Sequence, residues 1–149
     1  MATQKFLFGT LTELGTNLLA SLANSTSDTT GLVLDGAIDN SANLHEYIQF
    51  EVNLAAPAAA YAANAYLVIY AIPTYDGTNY VDATNVSRLG GLVLTTIPLS
   101  ATTDAHRVGS AIAAIPWTNF KILVQNKSGQ ALNATTASLK YRTFTDQSV

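Results

Sequence analysis

The chain has 149 residues with 7 basic and 10 acidic side chains, so 11% of it is charged, where about 25% is usual for a soluble domain. A net charge of −3 without a basic cluster argues against direct binding of nucleic acid. The absence of cysteine excludes a disulfide framework, a thiolate zinc site and a cysteine nucleophile, and no stretch is long and apolar enough to predict a membrane span.

The polar positions of the chain carry mostly Thr, Ser, Asn and Gln in place of charged side chains. Depletion of charge marks the buried centre of a protein interface, where another protein covers the surface. The composition therefore predicts a single domain of residues 1–149 that serves as a building block of an assembly rather than as an enzyme.

The N-terminal segment, residues 1–8, has one lysine followed by an apolar stretch that ends at Gly9. It lacks the pattern of a secretory signal, so we expect synthesis in the cytoplasm with the first residues retained. Strands are predicted next at residues 10–19 and 31–38, although the leucines of residues 11–23 also recur at helical spacing. A loop rich in Ser, Thr, Asp and Asn follows each of these strands.

Residues 46–54 alternate between apolar and polar side chains. Ile48, Phe50, Val52 and Leu54 fall on one face, which is the period of a half-buried strand. We therefore expect these four side chains in the core.

An Ala-rich stretch at residues 54–65 is compatible with a helix beginning near Pro57, but we favour a loop between two strands. The run at residues 65–72 is apolar on both faces and stops at Pro73, which cannot donate to a sheet. Such a strand is either central in a two-layer core or covered by a neighbouring subunit.

Turns and further strands fill the second half of the chain. The Asp-Gly pair within residues 75–80 favours a tight hairpin, and strands are predicted at residues 89–97 and 108–115. Residues 120–125 alternate clearly, with Phe120, Ile122 and Val124 inward and a turn shortly after them. Residues 139–144 alternate as well, with Leu139, Tyr141 and Thr143 on the face opposite Lys140, Arg142 and Phe144. Many short strands separated by turns indicate an all-β fold, an antiparallel β-sandwich.

Few residues could support catalysis. His45 and His106 are far apart in the sequence and belong to no metal or triad motif, so both are interpreted as solvent-facing or loop residues. Asp35 and Asp39 could form a carboxylate pair, and residues 39–43 could offer oxygen ligands to calcium, but turn hydrogen bonding explains them more simply. No catalytic, cofactor or metal site is predicted.

Several short stretches also carry a family resemblance. They are Leu-Leu-Ala-Ser-Leu-Ala-Asn-Ser at residues 18–25, Leu-Asp-Gly-Ala-Ile-Asp-Asn at 34–40, Tyr-Asp-Gly-Thr-Asn-Tyr at 75–80, Phe-Lys-Ile-Leu-Val-Gln-Asn at 120–126 with Gly129, and Leu-Lys-Tyr-Arg at 139–142. In these the chain resembles small virion proteins of tailed bacteriophages, in particular jelly-roll head decoration or cement proteins. The resemblance implies a jelly-roll sandwich without enzymatic activity that docks onto a capsid lattice as a symmetric cluster.

The leading functional hypothesis is therefore a capsid decoration protein on the outer surface of a phage head. Its expected partners are the major capsid protein and further copies of itself, as a homotrimer or alternatively a homodimer. The both-faces-apolar strand is assigned to the core. The residues expected to contact another subunit or the capsid are Met1, Ala2, Thr3, Gln4, Lys5, Phe6, Leu7 and Phe8.

Three alternatives stay open. A tail or baseplate subunit would have the same kind of surface. A carbohydrate-binding sandwich on a host-recognition fibre would use Tyr75, Tyr80 and Trp117 to stack on sugars. A hydrolase using Asp35 or Asp39 is the most distant alternative.

Overall fold

A computed structural model describes residues 4–89 and 92–148, and within them the chain forms ten β-strands in two antiparallel sheets. No helix in these two ranges is long and apolar enough to pass through a bilayer. The strands are β1 Gln4–Phe8, β2 Thr12–Leu14, β3 Leu32–Ile38, β4 Tyr47–Leu54, β5 Tyr66–Pro73, β6 Val93–Pro98, β7 His106–Gly109, β8 Ala113–Ala114, β9 Phe120–Lys127 and β10 Ala137–Ser148, with a 3-10 turn at Val86–Arg88.

The strand order is that of a jelly roll. Sheet A has the order β1-β10-β4-β7, with β2 also pairing with β10 and β8 with β4, and sheet B has the order β3-β9-β5-β6. When β1 with β2 and β7 with β8 are each counted as one interrupted strand, the first strand pairs with the eighth, the second with the seventh, the third with the sixth and the fourth with the fifth. The predicted antiparallel sandwich of jelly-roll type is therefore confirmed.

The main core lies between the two sheets and follows the predicted alternation. In β4 the four side chains expected to face inward, Ile48, Phe50, Val52 and Leu54, are all buried. Strand β9 contributes Phe120, Ile122 and Val124 to the same core, and Leu139 of β10 is also buried there. Alternation thus correctly identified the inner face of both sheets.

A second cluster of buried side chains covers the outer face of sheet B, and we call it the outer cluster. Strand β5 lies between β9 and β6, as predicted for a central strand. Its outward residues Val68, Tyr70 and Ile72 pack with Leu123 and Leu89. The loop of residues 74–92 contributes most of the cover, so the chain itself, and not a neighbouring subunit, shields this apolar face. The partly buried members are Leu32, Tyr80, Val81, Ala83, Val86 and Leu92.

The strand predicted at residues 10–19 is wrong over most of its length, because only Thr12–Leu14 is extended. Gly15, Asn17 and Ser21 have positive φ angles of 41°, 51° and 58°, which interrupt both a strand and a helix and produce a series of turns. These turns carry Leu19 into the main core, where it is fully buried.

Other boundaries also need correction. The strand expected at residues 89–97 begins only at Val93, and the one expected at 108–115 is split into β7 and β8. The Ala-rich stretch is a loop, as favoured. The Asp-Gly turn is closed by one bridge between Thr74 and Tyr80, so it is not a hairpin between two long strands, and the chain reaches β6 only after the long covering loop.

Candidate functional site

The predicted contact segment lies at an edge of sheet A. Its residues Gln4–Phe8 form β1, which pairs with β10 in an unbroken register from Gln4 opposite Ser148 to Phe8 opposite Phe144. Phe8 keeps 51% of its surface exposed. Met1, Ala2 and Thr3 lie outside the described residues. The segment is thus part of the sheet itself.

A row of three aromatic side chains crosses the outer face of sheet A beside this edge. Phe8, Phe144 and Tyr47 are directly opposite one another on three neighbouring strands. The ring centroids of Phe8 and Phe144 lie 5.2 Å apart, and those of Phe144 and Tyr47 lie 5.5 Å apart. Offset and tilted ring pairs at such distances are favourable. Phe144 is buried beneath its neighbours although it faces away from the main core.

Polar side chains hold the surface next to this row. The guanidinium carbon of Arg142 lies 4.7 Å from the centre of the Phe8 ring, and its Nε and Nη2 atoms donate to Gln49 Oε1 at 3.3 and 2.8 Å. Arg107 forms an ion pair with Glu51 at 3.0 Å. The ion pair joins the opposite charges of Arg107 and Glu51, and the neutral Gln49 amide and the Phe8 ring engage the Arg142 guanidinium without neutralising it.

Two shallow depressions border the row. Leu11, Gln49, Glu51 and Arg142 line one of them. Ile112, which is 54% exposed, lines the other with Tyr47, Phe144 and Asp146. We call the resulting patch the sheet A surface, made of Phe8, Leu11, Tyr47, Ile112, Arg142 and Phe144.

Sequence reasoning located only part of this patch. It selected Phe8 as part of the N-terminal segment, but it grouped Tyr47 and Phe144 with the polar faces of their strands. The sequence did carry a signal for these two residues. Each is a large aromatic side chain on the otherwise polar face of an alternating strand, which is unusual where that face meets water. Pairing of the two strands was needed to show that these aromatics meet.

Of the two acidic residues considered for catalysis, Asp35 lies within β3 and Asp39 in the turn that follows it. Asp39 Oδ1 accepts hydrogen bonds from the backbone N–H and hydroxyl of Ser41, and these bonds lower the pKa of its carboxyl group. Asn40 is buried, donates to two backbone carbonyls and accepts from the N–H of His45. Within residues 4–89 and 92–148 no three or more potential metal ligands come together.

The two histidines have different environments. His45 was expected to face solvent at the edge of a strand; it lies just before β4 but is half-buried, with Nδ1 3.0 Å from the Thr145 hydroxyl. His106 was expected in a loop, but it opens β7, is buried, and places Nε2 3.1 Å from the Ser100 carbonyl with its ring against Tyr61. His106 is therefore packed inside the protein. The prediction missed it because β7 begins at residue 106, two residues before the strand predicted at 108–115.

The aromatic residues considered for sugar binding separate into two groups. Tyr75 and Trp117 are 81% and 69% exposed, and the N–H of Thr74 donating to the Asn119 carbonyl at 3.1 Å brings their two segments together. Tyr80 instead packs in the outer cluster, with the Lys121 ammonium 4.3 Å from its ring centre. Two of the three are thus exposed at one end of the sandwich.

No protein-family model and no curated protein matches this sequence. Among solved structures, the chain is similar to a protein in the structure of Cocksfoot mottle virus, with 10% identity, 97% of each chain covered and a TM-score of 0.40. It is also similar to a family 6 carbohydrate-binding module from Clostridium cellulolyticum in complex with xylose, with 11% identity, 91% of this chain and 96% of that chain covered, and a TM-score of 0.42. A third is the structure of Tomato aspermy virus, with 12% identity, 99% and 78% coverage and a TM-score of 0.40.

These similarities are distant and include both virus structures and carbohydrate-binding modules. The jelly-roll assignment stands on the strand order of the two sheets. The same architecture serves unrelated functions, so a role has to be argued from the surface of this chain.

Proposed function

We propose that this protein is a non-enzymatic structural component of a bacteriophage virion, a decoration protein on the outer surface of the head that binds the major capsid protein. The observation that carries the proposal is the sheet A surface, an apolar and aromatic patch in which Phe8, Leu11 and Ile112 are about half-exposed, on a chain with very few charges. Large exposed apolar patches rimmed by polar residues mark protein–protein contact sites.

Covering this surface would stabilise a complex without strong ionic contacts. Burial of apolar area contributes roughly 25 cal/mol per Å², and repetition of one contact over a lattice adds avidity. Glu51 already has Arg107 as an ion-pair partner, and the Arg142 guanidinium is held within the sheet by Gln49 and the Phe8 ring. Binding should therefore depend only weakly on salt concentration.

The N-terminal strand belongs to the same proposed contact. Phe8 ends the aromatic row at the edge of sheet A, where another subunit or the capsid could reach it. Copies of the protein are proposed to cluster at symmetry positions of the lattice, as a trimer at threefold or a dimer at twofold positions.

The proposal is tested by imaging virions of the phage that encodes the protein and by adding purified protein to heads that lack it. We expect density on the head exterior and saturable co-sedimentation. Ile112→Glu should lower occupancy at least about tenfold, because it buries an unpaired charge in the contact. Leu34→Glu is the matched control, since Leu34 is a comparably exposed apolar residue on sheet B.

Equal occupancy of the two variants would remove the sheet A surface from the proposal. Density on the tail or baseplate alone would replace the head assignment with the tail alternative. Absence of the protein from purified virions would reject the structural role altogether.

A carbohydrate-binding module is the second candidate, favoured by the two exposed aromatics Tyr75 and Trp117. Exposed aromatic rings of this kind could stack on sugar faces at one end of the sandwich. A glycan array should then give binding that is lost in Trp117→Ala and Tyr75→Ala but kept in Tyr66→Ala, since Tyr66 lies on β5 away from that tip. No glycan bound above background would eliminate this candidate.

A further inference from the structure

The backbone of β1 directs part of its hydrogen-bonding capacity away from the sheet. Gly9 N–H donates to the Thr143 carbonyl at 2.7 Å, which identifies a hydrogen-bonded pair in the ladder between β1 and β10. Such pairs alternate along antiparallel strands, so the odd-numbered residues of β1 face β10. The N–H and C=O groups of Gln4 and Phe6 therefore point to the opposite side, where no described strand lies.

The other sheet edges carry features that discourage pairing. Strand β3 has an irregularity at residues 35–36, and β6 has one between Val93 and Thr95 and ends at Pro98. The edge formed by β7 and β8 is short and interrupted. Bulges, prolines, short strands and charged side chains such as lysine are means by which proteins protect their edges. Strand β1 has neither a bulge nor a proline over its five residues, and Lys5 is its one charged residue.

The aromatic row reaches this same edge. Tyr47 lies on β4, Phe144 on β10 and Phe8 on β1, so the row crosses the sheet and ends at its last strand. The Arg142 guanidinium lies over the Phe8 ring. A strand added at this edge would extend both the backbone hydrogen-bond ladder of sheet A and the row of aromatic side chains.

We infer that β1 is a pairing edge whose partner is β1 of a second copy, joined antiparallel about a twofold axis that passes through Phe6. The two copies then form one continuous sheet from the two A sheets. This step goes beyond the proposed function, because the pair forms whether or not the protein binds a capsid.

The register follows from the strand itself. Phe6 is the midpoint of the five-residue strand and one of its outward-directed positions, so an axis there pairs Phe6 with itself and Gln4 with position 8 of the second copy. It also places Lys5 opposite position 7, whereas an axis at Lys5 would put two like charges directly opposite each other. A self-complementary strand without a charge conflict fits a second copy of this chain.

The absence of cysteine allows a direct test. In a hydrogen-bonded antiparallel pair the opposing Cα atoms lie about 5.5 Å apart, within the range that a disulfide spans. Phe6→Cys should therefore form a covalent dimer under mild oxidation. Lys5→Cys should not, because its symmetry mate is displaced by two residues, about 6.8 Å along the strand in addition to the strand spacing.

The measurement is the rate of covalent dimer formation by the full-length protein, without phage particles, read on non-reducing gels and by mass spectrometry. Effective concentrations near 1 mM in the pair, against about 10 µM in bulk, give an expected rate for Phe6→Cys roughly 100-fold above Lys5→Cys. Leu34→Cys, at the irregular β3 edge, is a second control. Circular dichroism checks that each variant is folded.

Sedimentation of charged variants supplies an independent result. Phe6→Glu and Phe6→Lys should each be monomeric and should form a dimer when mixed, because only an axis through position 6 brings these two side chains together. A wild-type monomer at about 100 µM, or equal cross-linking of all three cysteine variants, would overturn the inference. If a variant lost capsid binding but still formed the dimer, the result would reject the capsid contact and support the pairing through β1.

Discussion

The outer faces of the two sheets differ in what covers them. On sheet B, the loop of residues 74–92 folds over Val68, Tyr70 and Ile72 and buries them. On sheet A, Phe8 and Ile112 stay half-exposed, and no loop of the described chain buries them.

The comparison shows that an apolar outer face does not by itself indicate a subunit contact. Residues 65–72 are the most continuously apolar part of the chain, yet the protein shields them internally. On sheet A, Phe8 and Ile112 keep about half of their surface exposed, whereas Phe144 is buried. A possible subunit contact is therefore indicated by the apolar surface that stays exposed after the chain has folded over itself.

Replacing a buried isoleucine and an exposed isoleucine gives the largest expected contrast. Ile72→Ala should lower the free energy of unfolding by about 2–5 kcal/mol, because it leaves a cavity in the outer cluster. Ile112→Ala on the sheet A surface should change it by no more than about 0.5 kcal/mol. Urea denaturation of both variants measures the difference, and similar losses would mean that the two faces are covered alike.

A smaller effect is expected from the polar contact beneath the loop. The Tyr70 hydroxyl donates to Gln125 Oε1 at 3.0 Å, and the amide of Gln125 donates to the Ser25 hydroxyl at 2.8 Å. Tyr70→Phe removes one buried bond and should cost about 1–3 kcal/mol in urea denaturation. The matched change Tyr75→Phe, on a side chain that is 81% exposed, should have almost no effect, and equal effects would place Tyr70 outside the packed region.

The smallest effect concerns acid sensitivity of the covering loop. The Asn79 backbone N–H, with the Asn79 side chain, the Thr78 N–H and the Thr74 hydroxyl, lowers the pKa of Asp76 in the folded state. Its contribution to stability is therefore present at neutral pH and is lost as pH falls below about 4, where the unfolded chain takes up the proton first.

Asp76→Asn should accordingly flatten the fall in melting temperature between about pH 5 and pH 2. Asp104→Asn, a change at another exposed loop aspartate, serves as the control. If the melting temperature of both variants falls with pH as steeply as that of the wild type, the turn at Asp76 does not contribute to the pH dependence of stability.

Much of the fold was predictable from local pattern. The alternation in residues 46–54 and 120–125 reports burial on one face directly, because side chains of a strand point to opposite sides in turn. The turn chemistry of Asp39, Asp76 and Asn126 was equally local. Residues 10–19 escaped prediction, because left-handed conformations at Gly15, Asn17 and Ser21 depend on the contacts that hold Leu19 in the core.

The sequence by itself determined the class of the protein, an all-β sandwich with few charges, no cysteine and a strand apolar on both faces. It could not determine which side chains meet on the outer face of sheet A, because Phe8, Tyr47 and Phe144 are separated by up to 136 positions and meet only through strand pairing. The tertiary structure alone decided that sheet B is shielded by its own loop and that β1 lies at an edge of sheet A, since both depend on how distant segments pack against one another.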